Sequence, residues 1–179
     1  MLMTKRWKWS LFGLLCMLYL GFPFYLIQRK QVVVQKGEMY RATAPLIQPQ
    51  ESYRGIYLPV NLPEEAEVSF PVRQGQRVFV ELQQNNQSLG IKKIARKRPQ
   101  TDAYLKATIR YRQDDLVFLD FPASAQTVYF TPTEMEKWED LYKVNTETPA
   151  LTPPTLGVAL HVYRGRGVAD QVLTAGTER

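Results

Sequence analysis

The sequence predicts a mainly β chain of the α+β kind: a single N-terminal transmembrane helix, then antiparallel β-hairpins in two small packed subdomains with one amphipathic helix. Three observations predict it. Residues Trp9 to Gln28 form twenty consecutive positions without Asp, Glu, Lys, Arg or His. Short runs rich in Val, Ile, Leu, Tyr and Phe, divided by turn residues, dominate the remainder of the chain. One stretch, Thr131 to Val144, instead carries apolar residues at helical spacing. The expected organisation is an anchor over residues 1–30, a first β subdomain over 31–98, and a second over 99–179 with its helix near 132–144.

The apolar stretch is long enough to cross a bilayer, since about 1.5 Å per helical residue gives roughly 30 Å. Leu11, Phe12, Leu14, Leu15, Leu18, Leu20, Phe22, Phe24, Leu26 and Ile27 together favour insertion by roughly 3 to 6 kcal/mol. Gly13, Gly21, Ser10 and Pro23 oppose it, but a proline kink is tolerated in lipid. Trp7 and Trp9 at one end and Tyr25 at the other match the aromatic preference for the two interfaces. A cleaved signal peptide shares the basic start and apolar core. It wants small residues at its cleavage site, however, and Phe22 to Gln28 supplies bulky ones. A core helix would need a polar stripe that this stretch lacks. Lys5, Arg6 and Lys8 precede the span, and Arg29, Lys30, Lys36 and Arg41 come after it, so the positive residues are nearly balanced. The compact N-terminal cluster and long C-terminal domain fit a single-pass signal anchor in the cell (inner) membrane. Its amino end would be cytoplasmic and its C-terminal domain extracytoplasmic.

Beyond the span, Gln31 to Gln35 (QVVVQ) reads as a β run leaving the membrane. Arg77 to Gln83 alternates Val78, Val80 and Leu82, and Gln84 to Gln87 is the turn into a partner over Ser88 to Ala95. Ala103 to Tyr111 and Asp115 to Phe121 make a second hairpin around Arg112, Gln113 and Asp114. Thr131-Pro132-Thr133-Glu134 has the residues of a capping box, with Met135, Trp138, Leu141 and Tyr142 beyond it as a stripe for the sheet. Asn145 to Pro154, rich in proline and threonine, is a loop. Thr155 to Arg164 and Val168 to Thr174 form the last hairpin, with Gly165 and Gly167 expected to supply positive φ.

The formal charge of +6 belongs almost entirely to the anchor, because residues 31–179 hold 18 basic and 17 acidic side chains. A nucleic-acid partner is therefore not expected. The local exception, Lys92, Lys93, Arg96, Lys97 and Arg98, is a solvated strand end or a contact for anionic headgroups, at about 1 kcal/mol per residue near a charged surface. Cys16 lies in the span and His161 is the sole histidine, which removes zinc cages, thiol nucleophiles and two-imidazole metal sites. No metal or cofactor is expected, and His161 reads as a satisfied structural residue in a strand.

Val32 to Leu62 resembles the opening of the bacterial GDYXXLXY protein family, uncharacterised membrane-anchored proteins in which a strand and a P-x-D-x-x-x-x-R-G-D-Y turn precede the naming strand. Arg54, Gly55 and Tyr57 occupy matching places, with Val60 and Leu62 in place of the named Leu and final Tyr. Ile56 replaces the acid, so any role of that carboxylate is lost or changed here. Val78 to Leu82 with Arg98-Pro99, Phe121 with Val128 to Glu134, and the hairpin from Gly165 to Gly176 resemble later family segments in the same order. The resemblance implies association with a multi-spanning membrane protein of the DUF2157 or DUF4401 type. Three functional classes are then open. The first is a non-enzymatic accessory domain binding such a partner through sheet edges or the turn at Arg54, Gly55 and Tyr57. The second is a hydrolase built on Asp114, Asp115, Asp120, Glu134, Glu136, Glu139 and Asp140, or on a Ser–Lys pair using Ser52, Ser69, Ser88 or Ser124. The third is a binder of small ligands or lipid headgroups at Lys92 to Arg98.

Overall fold

The computed structural model describes residues 5–47, 49–52, 55–85, 88–146 and 155–173. Helix α1 (Lys5–Lys36) passes through Pro23 without ending. Between Trp9 and Gln28 every side chain is exposed except the half-exposed Cys16. Trp9 to Lys36 is long and apolar enough to cross a membrane. That exposed apolar surface is compatible with a single membrane-spanning helix.

The QVVVQ run is the first correction: it is helical, forming the last turns of α1. The helical cost of three valines is a few tenths of a kcal/mol each. Burial of Val33, which is 2% exposed, offsets that by about 1.5 to 3 kcal/mol. An established helix also gains one hydrogen bond for each residue it adds. The helix stops at Gly37, whose N–H donates to the Val33 carbonyl at 2.8 Å.

Among the described residues the strands form three antiparallel sheets. The first has the order β1 (Glu38–Pro45), β10 (Thr155–Tyr163), β11 (Arg166–Leu173), and the base of α1 packs on β10 and β11. The second joins β2 (Gln50–Ser52), β3 (Gly55–Pro59) and β9 (Thr127–Tyr129). The third runs β4 (Glu65–Glu67), β8 (Leu116–Asp120), β7 (Leu105–Gln113), β5 (Arg77–Asn85), β6 (Ser88–Ala95). A short helix, α2 (Ala123–Gln126), leads into β9, and α3 (Pro132–Thr146) comes after it.

The division at residue 98 does not match the strand pairing. Strand β5 pairs with β7 across that point, and β1 pairs with β10. One core runs through all three sheets, including Ala42, Leu58, Val80, Leu105, Leu119 and Leu160. Pro99 thus lies in the loop from β6 to β7, the two strands that flank β5 in one sheet.

The capping box forms as the sequence predicts. The Thr131 N–H and hydroxyl donate to the Glu134 carboxylate at 2.8 and 2.7 Å, and the Glu134 N–H reaches back to the Thr131 hydroxyl at 3.4 Å. The helix buries Trp138, stacked on Tyr142 at 4.7 Å, with Met135 against the core. In the last hairpin the positive φ falls on Arg164 and Gly165, at 47° and 83°, as a two-residue hairpin turn of the primed type demands. Gly167 serves a different need from the one expected. A Cβ there would lie 2.7 Å from Leu105 Cδ2 and 2.8 Å from Ala125 Cβ.

Candidate functional site

Of the three turn residues singled out for interaction, Arg54 lies outside the described residues. Gly55 and Tyr57 stand on β3. Gly55 opens the strand at φ +120°, a conformation disfavoured for any side chain, and its carbonyl accepts from the Ser52 hydroxyl at 3.1 Å. Tyr57 is half-buried and donates its hydroxyl to Gln50 Oε1 at 2.7 Å. It pairs in register with Tyr129 of β9, with ring centroids 5.9 Å apart.

Tyr129 joins this tip to α1, since its side chain lines a groove of about 650 Å³ between the base of the helix and the body of the domain. The helix contributes Leu26, Arg29, Lys30 and Val33, spaced i, i+3, i+4 and i+7 and hence on one face. The opposite wall comes from Pro122, Ala123, Ser124 and Thr127 and from the turn and start of β11, Gly165 to Ala169. Lys30 Nζ lies 3.6 Å from the Asp170 carboxylate, and the Arg29 guanidinium lies 5.8 Å from the centre of the Tyr25 ring. The Ser124 hydroxyl donates to the Gly167 carbonyl at 2.8 Å, tying α2 to β11.

The basic run is only partly available. A β-bulge between Glu81 and Leu82 in the β5–β6 ladder turns both Lys92 and Lys93 outward, on the edge strand of the five-stranded sheet. Exposed lysines on an edge also discourage unwanted strand pairing. Arg96 lies over the Phe70 ring at 5.0 Å. Arg98 lies over Tyr104 at 5.8 Å and 3.8 Å from Asp102. Lys97 is exposed. Asp102 also accepts from Arg164 Nε at 2.8 Å; that hydrogen bond holds its carboxyl below the usual range and raises the arginine.

The acids considered for catalysis are spread out. Asp115 pairs with Arg112 at 3.4 Å and Asp120 with Arg110 at 3.8 Å, while Asp114 holds a turn at φ 54°. Glu134 belongs to the helix cap, and Glu136 and Glu139 are exposed on α3. The side chain of Asp140 and that of Ser88 lie outside the described residues. Among the described residues, no three of His, Cys, Asp and Glu converge as a metal cage. Ser124 and Lys30 share the groove, yet Ser124 gives its proton to a carbonyl and Lys30 is paired with Asp170, so neither is poised as nucleophile or base. His161 departs from expectation: its Nδ1 is buried with no hydrogen-bond partner among the described residues. Trp138 Nε1 is in the same condition.

No family model, curated protein or solved structure matches this chain. The groove is not evident from sequence, although its signal exists: Leu26, Arg29, Lys30 and Val33 show helical spacing once the helix is continued past Gln28.

Proposed function

We propose that the chain is a membrane-anchored, non-enzymatic accessory domain that binds a multi-spanning membrane protein. The resemblance to the GDYXXLXY family suggests a DUF2157- or DUF4401-type partner. The carrying observation is the position of the Tyr57–Tyr129 pair: its outer member, 39% exposed, shares a groove with Leu26 and Arg29 at the point where α1 leaves its uncharged stretch. Large aromatic side chains with a polar tip suit an interfacial contact, because they bury area with little loss of rotamer freedom. The glycine at Gly55 leaves room beside Tyr129, with only the ring's Cδ1 at 4.0 Å from where a Cβ would stand. We place the amino end in the cytoplasm and the domain outside the inner membrane.

A photo-crosslinking side chain at Tyr129 in the full-length protein, expressed in its native membrane, should capture a multi-spanning protein. The same group at Lys93, on the edge of the third sheet, should capture it far less. Equal capture from both positions, or none from Tyr129, refutes the reading. A C-terminal reporter active only outside the cytoplasm tests the orientation.

A further inference from the structure

We propose that the groove beside α1 holds one phospholipid with an anionic headgroup, its phosphate between Arg29 and Arg166 and one acyl chain against Leu26. The inference requires α1 to lie in lipid but is independent of the protein partner.

Depth is the first argument. Leu26 stands two residues inside the end of the uncharged stretch and Val33 five residues beyond it, about 3 Å and 7.5 Å along the axis. The groove therefore straddles the boundary between hydrocarbon and headgroups, where every phospholipid has its phosphate. Chemistry is the second. The lining includes Arg29, Lys30 and Arg166 and no carboxylate; Asp170, next to the lining residue Ala169, is paired with Lys30 at 3.6 Å. Arg29 and Arg166, one from each wall, are then the cations in excess, and guanidinium is the group that pairs best with phosphate oxygens. Leu26, Pro122 and Val168 give the same groove an apolar portion. A soluble anion would leave those residues unused, and a zwitterionic lipid, of no net charge, would offset neither guanidinium in net terms, whereas an anionic one offsets one of them. Shape is the third, since Ala123 adds only a methyl to the wall and the groove has a volume of about 650 Å³.

The test uses the full-length chain in an uncharged detergent, titrated with phosphatidylglycerol or with phosphatidylcholine of identical chains. Binding is read by native mass spectrometry, and folding by the thermal midpoint. Wild-type protein should bind one phosphatidylglycerol and prefer it to phosphatidylcholine, more weakly as salt rises. Removing two cations at the headgroup plane, Arg29→Gln with Arg166→Gln, should weaken phosphatidylglycerol by roughly 30-fold. Lys92→Gln with Lys93→Gln should leave it unchanged. Ala123→Trp, which fills the groove from its small-residue wall, should weaken both lipids. Equal binding of the two lipids overturns the proposal, as does wild-type affinity in the folded Arg29→Gln, Arg166→Gln protein. Displacement of phosphatidylglycerol by glycerol phosphate at equal concentration would show an anion site that needs no lipid, and also overturns it. Should the double arginine variant not fold, unchanged binding by folded Ala123→Trp refutes it alone.

Discussion

Gly167→Ala is the sharpest test of how the domain closes around the groove. Gly167 is buried where β11 meets β7 and α2, and its φ lies outside the left-handed region, so alanine carries no backbone penalty there. The cost is purely steric. The new methyl would stand 2.7 Å from Leu105 Cδ2 and 2.8 Å from Ala125 Cβ, whereas comfortable carbon contacts lie near 3.5 to 4.0 Å. Each approach is thus short by roughly 0.7 to 1.3 Å. Both neighbours are 0% exposed, and the Ala125 carbon cannot rotate away, so relief requires α2 to shift against β11. Overpacking of this kind costs about 1 to 3 kcal/mol. For a chain of 179 residues this lowers the thermal midpoint by about 2 to 12 °C. Circular dichroism melts of the full chain in uncharged detergent read the effect. In a Leu105→Val background, which removes the nearest methyl, the alanine should cost less than in wild type. A midpoint within 1 °C of wild type, or strict additivity of the two substitutions, would refute the reasoning.

The same geometry makes three further outcomes measurable. Thr131→Ala and Glu134→Ala should each destabilise by about 1 kcal/mol, and the double variant by less than the sum, because both break one capping box; additive midpoints would contradict this. Burial, helped by the Glu38 carboxylate, pushes the Tyr40 hydroxyl up to about 12, so the folded state holds its proton more tightly than the unfolded chain. Its contribution is therefore complete below pH about 10 and lost as pH rises towards 12. Urea melts of wild type against Tyr40→Phe should show an excess loss confined to that window, and parallel slopes would exclude it. Val33→Asp should undock the base of α1 and speed trypsin cleavage around Lys30 and Lys36 at least about tenfold, since each 1.4 kcal/mol of lost docking raises the open population about tenfold. A rate within twofold of wild type would show that Val33 does not hold the helix.

Legibility in the sequence tracks the range of the interactions involved. The apolar span, the hairpins at β5–β6 and β10–β11 and the Thr131 cap rest on neighbours a few residues apart, and each can be read from spacing alone. Strand β9, three residues long, exists because Tyr57, Leu58 and Pro59 pair with it from some seventy positions away, and no local period announces it. The boundary at Arg98-Pro99 fails for the same reason. Proline forbids regular pairing at its own position but says nothing about whether strands before and after it, here β5 and β7, pair with each other. Gly167 is legible as special but not in its cause, because sequence shows that a side chain is missing and not what occupies its place. At the candidate site, Gly55 and Tyr57 are legible as a turn and strand start. Their neighbour Tyr129 is not, nor is the groove that three distant segments build.

The helical state of Gln31 to Gln35 changes what the anchor can do. An extended run would be a tether, letting the domain swing and setting only a maximum distance from the bilayer. A helix that continues through Lys36 has no soft dihedral between the apolar span and the domain, and it places Lys36 about 12 Å beyond Gln28 along the axis. Rotation about that axis is also fixed, because Val33 is buried and Lys30 meets Asp170 on the face that Leu26 and Arg29 share. The Tyr57–Tyr129 pair consequently has one height and one heading relative to the span. The proposed membrane partner would then meet a preset surface and would not have to order a flexible linker on binding, a cost that otherwise weakens association. Val33, of a residue type poorly suited to a helix, is thus the one whose burial makes the anchor a strut.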